Sequence, residues 1–355
     1  MKWLEDALAK ARPLFEGGGR FRAFKPLFDA MENFMLSPST PTARAPHIRD
    51  PLDVKRYMSM VIIGLLPCLL ASFYFFGWRM LAMIVVSYAA GGAVEVAFAV
   101  LRKEEINEGF LVTGLLFPLI LPPALPLWMV GVGVAFGVLV GKELFGGTGR
   151  NLFNPALVGR CFLALGYPKA MSSDWISPVL AWPGRLGEYA TDTVTSATPL
   201  AAAKNGEWAR LGDLLLGNVS GSAGETSALA ALVGGVVLVA VGVANWRTVV
   251  AMLIGFIALT AGVFGGSVNI VVWHCLAGGL LFGAFFMATD PVTSPMTNGG
   301  KWIYGLLIGV VTALIRNFTG YVEGVMFAIL LGNIFAPVLD EIFIAVHVRR
   351  LNREG

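Results

Sequence analysis

A chain in which ten apolar runs follow one another with little between them has few folds open to it. The runs fall at 58–77, 79–101, 109–121, 125–142 and 153–167, and then, after a long polar stretch at 168–225, at 226–244, 248–264, 272–288, 301–316 and 322–345. A bilayer-spanning helix needs about 20 mainly apolar residues, and only helices or closed barrels satisfy their backbone groups inside lipid. Runs of this length predict helices. With 56% hydrophobic and 14% charged residues, against roughly a quarter charged in soluble domains, and a mean hydropathy of +0.72, the expectation is an all-α membrane protein of about ten transmembrane helices. Two runs, "GFLVTGLLFPLIL" and "FNPALVGRCFLALGY", are short for a crossing, and "WHCLAGGLLFGAFFMATDP" is glycine-rich and ends on an acid and a proline. Short or broken segments at matching places in two halves point to a binding site near the bilayer midplane.

The halves do match. At an offset of 169, Gly114 lies over Gly283, Phe117 over Phe286 and Pro122 over Pro291. At an offset of 173, Phe145 meets Phe318, Gly147 meets Gly320, Leu157 meets Leu330, Gly159 meets Gly332 and Phe162 meets Phe335. Five crossings per copy, at 58–167 and 226–345, require the second copy to be inverted in the membrane.

Charge sets the orientation. Cytoplasmic loops are rich in Lys and Arg. The N-terminal segment 1–57 carries ten Lys/Arg, and Arg102, Lys103, Lys142, Arg150, Arg247, Lys301 and the tail 346–355 ("VHVRRLNREG") fall on the same side; the opposite short turns carry only Arg79 and Arg316. Both termini are therefore expected in the cytoplasm, with 168–225 outside. Seven acids interleave with the N-terminal cations, which argues against nucleic acid as a partner. The opening "MKWLEDALAKARPLFEGGGR" is amphipathic rather than a signal peptide, and "LSPSTPTARAP" reads as a linker within this soluble lead-in. Cys68, Cys161 and Cys275 stand apart in apolar runs and read as packing residues.

Within the outer loop lies "TDTVTSATPL", residues 191–200. Thr198 before Pro199 is a helix start, a hydroxyl N-cap with proline at the first helical position. The order Asp192-x-x-Thr195-Ser196-Ala197-Thr198 is also similar to the Asp-x-x-(Ser/Thr)-(Gly/Ser)-Ala-Thr signal read by the flavin transferase that esterifies FMN phosphate to a threonine hydroxyl. An exposed capping threonine serves both readings.

Further stretches carry a resemblance over nearly the whole chain: "HIRDPLDVKR" (47–56), "RKEEINEGFLVTGLLF" (102–117), "PPALPLW" (122–128), "GKELFGGTGRNLFNPALVGR" (141–160), "DTVTSAT" (192–198), "FFMATDPV" (285–292), "GKWIYGLLIG" (300–309) and "APVLD" (336–340). The chain resembles the NqrB family, the B subunits of the Na⁺-translocating NADH:quinone oxidoreductase. The paralogous RnfD proteins of the Rnf complex share the "TDPVT" and flavin-threonine features but usually lack the soluble lead-in. The compact 77–90 region departs from family members with a longer insert there. The resemblance implies a bacterial inner-membrane protein with the A, C, D, E and F subunits of that complex as partners and a flavin transferase for maturation. It implies covalent FMN on Thr198 and noncovalent riboflavin, with ubiquinone or menaquinone as electron acceptor, and Na⁺ moving outward.

Candidate sites follow. Asn151 and Asn154 in "GGTGRNLFNPAL" offer amide donors and acceptors suited to an isoalloxazine edge, and the resemblance places riboflavin there. The competing reading is a capping turn. Gly91, Gly92 and Glu95 share one helix face in the second run; the glycines permit close approach, a carboxylate inside a span is costly and usually functional, and the resemblance places quinone at the glycine pair. The bland reading is tight packing. Asp290 and Glu95 are the leading candidates for a Na⁺ path, with Asp340, Glu323, Glu143 and Glu108 as further acids at or near helix ends. His47, His274 and His347 lack ligand spacing for zinc or haem. Without a Gly-x-Gly-x-x-Gly fingerprint after a strand, NADH binding falls to a partner. A different class, a urea-transporter-like solute channel, would share the five-plus-five architecture but need no covalent flavin.

Overall fold

The structure is a computed structural model and describes residues 12–13, 28, 54–103, 109–172, 175–179, 183–189, 197–319, 321 and 324–354. Most of the expected lead-in 1–57, with His47, and also Glu108, Asp192, Ser196 and Glu323, lies outside the described residues.

Each of the ten apolar runs carries helix. In chain order α1 is Val54–Phe76, α2 Trp78–Arg102, α3 Gly109–Leu119, α4 Leu127–Gly141 and α5 Pro155–Gly166; α6 (Pro168–Ser172), α7 (Pro199–Lys204) and α8 (Leu211–Leu216) are short pieces in the long loop; then come α9 (Ala228–Ala240), α10 (Trp246–Val263), α11 (Val268–Leu276), α12 (Leu280–Phe286), α13 (Asn298–Phe318) and α14 (Val325–Glu354). No strand is present among the described residues, only an isolated bridge between Gly77 and Tyr189. Six helices are long and apolar enough to cross a bilayer, and α11 with α12 forms a seventh span bent by 59°. The remaining three, α3, α5 and α9, have 11, 12 and 13 residues, below the length a crossing requires. This is a multi-pass membrane protein. Its helices turn Ile63, Leu70, Val85, Trp128, Ile254 and Ile342 outward, as lipid-facing surfaces require.

The short helices have local causes. α3 runs into Pro118 and then "PPALP", where prolines withhold the N–H groups that would continue it. α5 begins only at Pro155, behind a glycine turn with positive φ at Gly146, Gly147 and Gly149. α9 begins late because the preceding segment, "NVSGSAGETS" (218–227), stays irregular although its second half is buried. Buried irregular backbone must find partners at membrane depth. Here the Ala223 and Gly224 N–H groups donate to the carbonyls of Leu121 (3.0 Å) and Leu119 (2.6 Å), the acceptors that α3's early end leaves open. Ser72 of α1 donates to the Ala223 carbonyl at 2.6 Å. On the other side of α3's exit, Arg79 donates to the carbonyls of Pro123, Ala124 and Leu125.

Packing between helices is set by small residues, as expected where lipid removes any hydrophobic drive for association. Gly133, Gly137 and Gly141 put one bare face of α4 against α5, where a Cβ on Gly133 would meet the Leu163 side chain at 2.6 Å. Gly305 and Gly309 of α13 lie against the Thr248 and Met252 carbonyls of α10. Gly64 and Gly234 bring α1 and α9 together. Pairs in the first set of helices have counterparts in the second: α2 with α4 and α10 with α13, α4 with α5 and α13 with α14, α1 with α3 and α9 with α12; α1–α9 and α5–α14 join the two sets.

Candidate functional site

The largest convergence of sequence-selected residues is a narrow cleft between the two sets of helices, with about 70 Å³ of internal space. Its walls are apolar: Val112 and Leu116 of α3, Leu238 of α9, Phe285 and Phe286 of α12. Polar groups stand around them: Lys142, Thr148, Asn151 and Asn154 from the turn before α5, and Thr289 and Asp290 after α12. Asn151, Asn154 and Asp290, far apart in sequence, therefore share one cavity.

Each asparagine is half used by the fold. Asn154 is the N-cap of α5, its Oδ1 accepting from Ala156 N–H at 3.0 Å and Leu157 N–H at 3.5 Å. Asn151 Nδ2 donates to the Phe153 carbonyl at 3.1 Å. The capping turn is thus real. What remains without a bond to the described residues is one acceptor, the Asn151 amide oxygen, and one donor, the Asn154 amide nitrogen. A complementary donor–acceptor pair over apolar walls fits the carbonyl and N–H edge of an isoalloxazine ring.

Asp290 organises the other rim. Its carboxylate accepts from Val292 N–H (3.2 Å) and the Thr293 hydroxyl (3.1 Å), while its carbonyl accepts from the Ser294 hydroxyl (2.6 Å). Surrounding protein pushes its carboxyl above the usual carboxylate range, against those two hydrogen bonds, which lower it. Asp340, on α14, clamps the same loop: it accepts from the N–H groups of Met296 (2.7 Å) and Thr297 (2.9 Å) and from the Thr297 hydroxyl (2.6 Å). That carboxylate is occupied as a backbone cap.

Lys142 links the cleft to the second helix. It is 3% exposed and its Nζ lies 2.7 Å from Oε1 of Glu95, itself 5% exposed; Glu95 Oε2 has no partner among the described residues. Beside this pair Arg102 bridges Glu143 at 2.8 Å and also donates to its carbonyl. One turn along α2, Gly91 and Gly92 face Phe110 of α3. A Cβ on Gly91 would lie 2.8 Å from the Phe110 ring and 3.0 Å from Val134, and one on Gly92 3.3 Å from the same ring. The flat face expected at the glycine pair is present, and the Phe110 ring fills it.

Thr198 lies elsewhere. It caps α7, its Oγ1 accepting from Ala201 N–H at 3.3 Å, with Pro199 at the first position. The sequence reading expected an exposed hydroxyl; Thr198 is 8% exposed, because α7 folds down onto Leu276 and Gly278. Its side chain lines a small cavity of about 20 Å³ shared with Ser222, Glu225, Thr226 and Gly278. Pro199, Val219 and Ser220 also line an adjoining groove of about 300 Å³, walled by Ala197, Glu207 and Trp208. Trp208 gives this groove an aromatic wall. Lys204 of α7 donates to the carbonyls of Thr319 and Tyr321, just past α13. α13 has 21 residues, roughly 30 Å of rise. Its start lies beside the Asp290 loop and its end beneath Thr198, so the two cavities sit toward opposite ends of the helix.

Several charged residues near these sites escaped the sequence reading. Lys142 counted there only as an inner-loop cation and Arg316 only as an outer-turn cation, whereas both are buried. Arg160 and Glu225 form a buried pair at 3.1 Å, with Arg160 also reaching the Ser222 hydroxyl at 3.2 Å. The available signal was an ionisable residue inside an apolar run, Arg160 in "NPALVGRCFLAL".

Comparison with known proteins gives a consistent picture. The NQR2, RnfD, RnfE family matches residues 41–348. The chain is 38% identical over 407 aligned positions to the B subunit of the Na⁺-translocating NADH-quinone reductase of Pseudomonas paraeruginosa, covering 99% of this chain and 100% of the relative. The proteins of the same name from Azotobacter vinelandii (38%, covering 97% of each chain) and Klebsiella pneumoniae (36%, covering 99% and 100%) are similar throughout. The alignments run longer than the 355 residues here, so the relatives carry residues this chain lacks.

Proposed function

The chain belongs to the NQR2, RnfD, RnfE family, and on that premise we propose that it is the B subunit of a Na⁺-translocating NADH:quinone oxidoreductase. Full-length relatives bear that name. In this reading it assembles with the A, C, D, E and F subunits in a bacterial inner membrane, both termini cytoplasmic, its ten helical runs forming two inverted five-helix repeats. The counterpart helix pairings α2–α4 with α10–α13 and α4–α5 with α13–α14 support the repeat.

The observation that carries the redox reading is the pair of cavities toward opposite ends of α13, one holding Thr198 and the other Asn151 and Asn154. FMN esterified to Thr198 and riboflavin in the cleft would supply the electron-carrying chemistry when bound. Asn151 and Asn154 orient the riboflavin edge, and Val112, Leu116, Phe285 and Phe286 exclude water from its faces. Asp192 and Ser196 belong to the sequence that the flavin transferase reads. The quinone region is placed at Gly91 and Gly92, where the Phe110 ring that now packs on them would have to swing aside for ubiquinone or menaquinone, and Glu95, held by Lys142, supplies charge at its edge. Asp290 and Glu95 are proposed as stations for Na⁺, since oxygen donors at interrupted helices suit a hard cation.

Denaturing gel fluorescence of the full chain, produced with and without a flavin transferase, tests the central claim. Flavin fluorescence on the chain that needs both the transferase and Thr198 is expected; its absence overturns the reading. The family also contains the RnfD branch, and quinone reduction by the purified complex separates the two.

A further inference from the structure

A groove of about 730 Å³ lies where α5 of the first set of helices meets α14 of the second, a volume within the roughly 300–1,000 Å³ of typical ligand sites. α4 contributes Phe136 and Val140, α5 Cys161 and Phe162, and α14 Leu330 and Ile334. Phe136 and Phe162 stack at 4.2 Å on its floor. No lining residue is charged. The groove opens away from the core, since Leu165 and Ile334 on its rim are 64% and 49% exposed. In a bilayer the solvent on that side is lipid, whose tails are as apolar as these side chains. α5 has 12 residues, roughly 18 Å of rise, against about 15 Å for one leaflet of a hydrocarbon core about 30 Å thick. A single extended acyl chain therefore matches the groove in length and in chemistry.

One end of the groove is not neutral. Phe145 and Phe153 close it, their rings meeting edge to face at 6.2 Å. Arg150 stands between them in the chain and is exposed. Its guanidinium lies beside Gly146, where a Cβ would be 3.4 Å from Nη1. An apolar trough that ends at an exposed guanidinium is complementary to a lipid with an ionised phosphate in its headgroup. Arg150 is also on the side that the distribution of cations reads as cytoplasmic.

The groove is separate from the face proposed for quinone. A Cβ on Gly91 would touch Val134 of α4. Phe136, two residues on, points about 200° around the same helix. α4 thus stands between the glycine pair and the groove, and the tail of a quinone seated at the pair does not reach it.

We propose that this groove holds one acyl chain of an anionic phospholipid from the cytoplasmic leaflet, with the headgroup phosphate at Arg150. The chain fills the seam between α5 and α14 and so joins the two sets of helices along their outer face.

Cys161 reports on the site, because its thiol is partly exposed within the groove. Cys275, also partly exposed and outside the groove, is the internal reference. The full chain is stripped of lipid in detergent, treated with N-ethylmaleimide and analysed by peptide mass spectrometry. Added phosphatidylglycerol should slow labelling of Cys161 about fivefold or more and leave Cys275 unchanged. Phosphatidylcholine at the same concentration should protect much less. Arg150→Gln should remove the difference between the two lipids, and Arg150→Lys should keep most of it. Equal protection by both lipids in the wild type would overturn the anionic headgroup, and no protection by either, or a Cys161 inert even without lipid, would overturn the lipid. Equal protection by ubiquinone alone would assign the groove to a quinone tail instead. The same labelling in the purified, delipidated complex decides against a protein partner: Cys161 should react there as in the separate chain, and a thiol shielded only in the complex would mean that another subunit covers the groove.

Discussion

Replacing Lys142 by Met should be among the most damaging single changes in the membrane core, and replacing Glu95 at the same time should undo part of the damage. The two charges stand 2.7 Å apart and are almost completely buried. At an effective dielectric of about 20 their attraction is roughly 6 kcal/mol, while removing each ion from water costs several kcal/mol. The intact pair therefore comes out near neutral. Removing one partner leaves the other ion's desolvation uncompensated, at about 3–5 kcal/mol. Glu95 has no reserve against this, since its Oε2 is already unpartnered among the described residues. The double variant Lys142→Met, Glu95→Gln buries no charge, so its loss should be smaller than the sum of the two single losses by about 2 kcal/mol or more. Unfolding of the detergent-solubilised chain, followed by tryptophan fluorescence, measures the four corners of the cycle. Single losses that add to the double within about 0.5 kcal/mol would show that the pair does not act as a unit, and with it would go the argument that the cleft is wired to α2.

Thr198→Ala should abolish covalent in-gel flavin fluorescence and cost about 1 kcal/mol through the lost cap of α7, whereas Ser196→Ala should leave much of the fluorescence; retained signal in the Thr198 variant refutes the attachment site. Leu at both Asn151 and Asn154 should lower riboflavin content while sparing the FMN, each lost amide bond counting about 1–3 kcal/mol; Asn154→Ser, which keeps a capping oxygen, separates cofactor loss from a weakened α5, and full riboflavin in the double variant speaks against the site. Gly92→Ala should weaken quinone and quinone-site inhibitors with flavin reduction intact, and Glu95→Gln should slow quinone reduction or its Na⁺ stimulation more than flavin reduction, so normal stopped-flow quinone turnover in both leaves that face as packing alone. Asp290 has a raised carboxyl pKa, so the folded chain holds a proton that the unfolded chain releases near about pH 4; its contribution to stability is full below that value and is lost as pH rises toward the folded pKa. Asp290→Asn should flatten this part of the stability–pH curve, and an unchanged slope would remove burial as the cause.

Helix positions were readable because apolar run length is itself the signal, and the two short helices of the first set were readable from the shortness of their runs. The start of α9 was readable too, since polarity drops after Ser227 and the run read from 226 becomes helix at Ala228. What the sequence did not show is that Ala223 and Gly224, in the polar stretch before it, pair with the end of α3. The cap at Thr198 followed from Thr-Pro, a local pattern. Its burial did not, because that depends on α7 resting against Gly278, eighty residues on. The charged pairs were misjudged for a related reason: counting Lys and Arg by side treats cations as markers of loops. Lys142 and Arg316 stand at the ends of apolar runs, where sequence cannot tell a residue reaching outward from one folded inward against Glu95 or His274.

The interruptions in the helices are what make room for chemistry in this bilayer protein. A continuous helix satisfies its own backbone and presents only side chains; where it stops inside protein, N–H and C=O groups must be met by something else. At one end of α13 the stops are the start of α5 and the end of α12. Asn154 meets the first free N–H groups of α5, Asp290 accepts from Val292 N–H in the turn after α12, and the space between is the cleft. At the other end the stops are α3, α9 and the break at Ala277–Gly279. The backbone of 223–224 meets α3, Arg316 meets the His274 carbonyl, and the remaining space is the cavity under Thr198. In both places the partner of a broken helix is a polar group with part of its bonding capacity unspent among the described residues: the Asn154 amide nitrogen in one, Arg316 Nε and Nη2 in the other. A solute channel would need such groups along one continuous path. Two separate polar cavities toward opposite ends of one core favour the proposed redox reading over a channel.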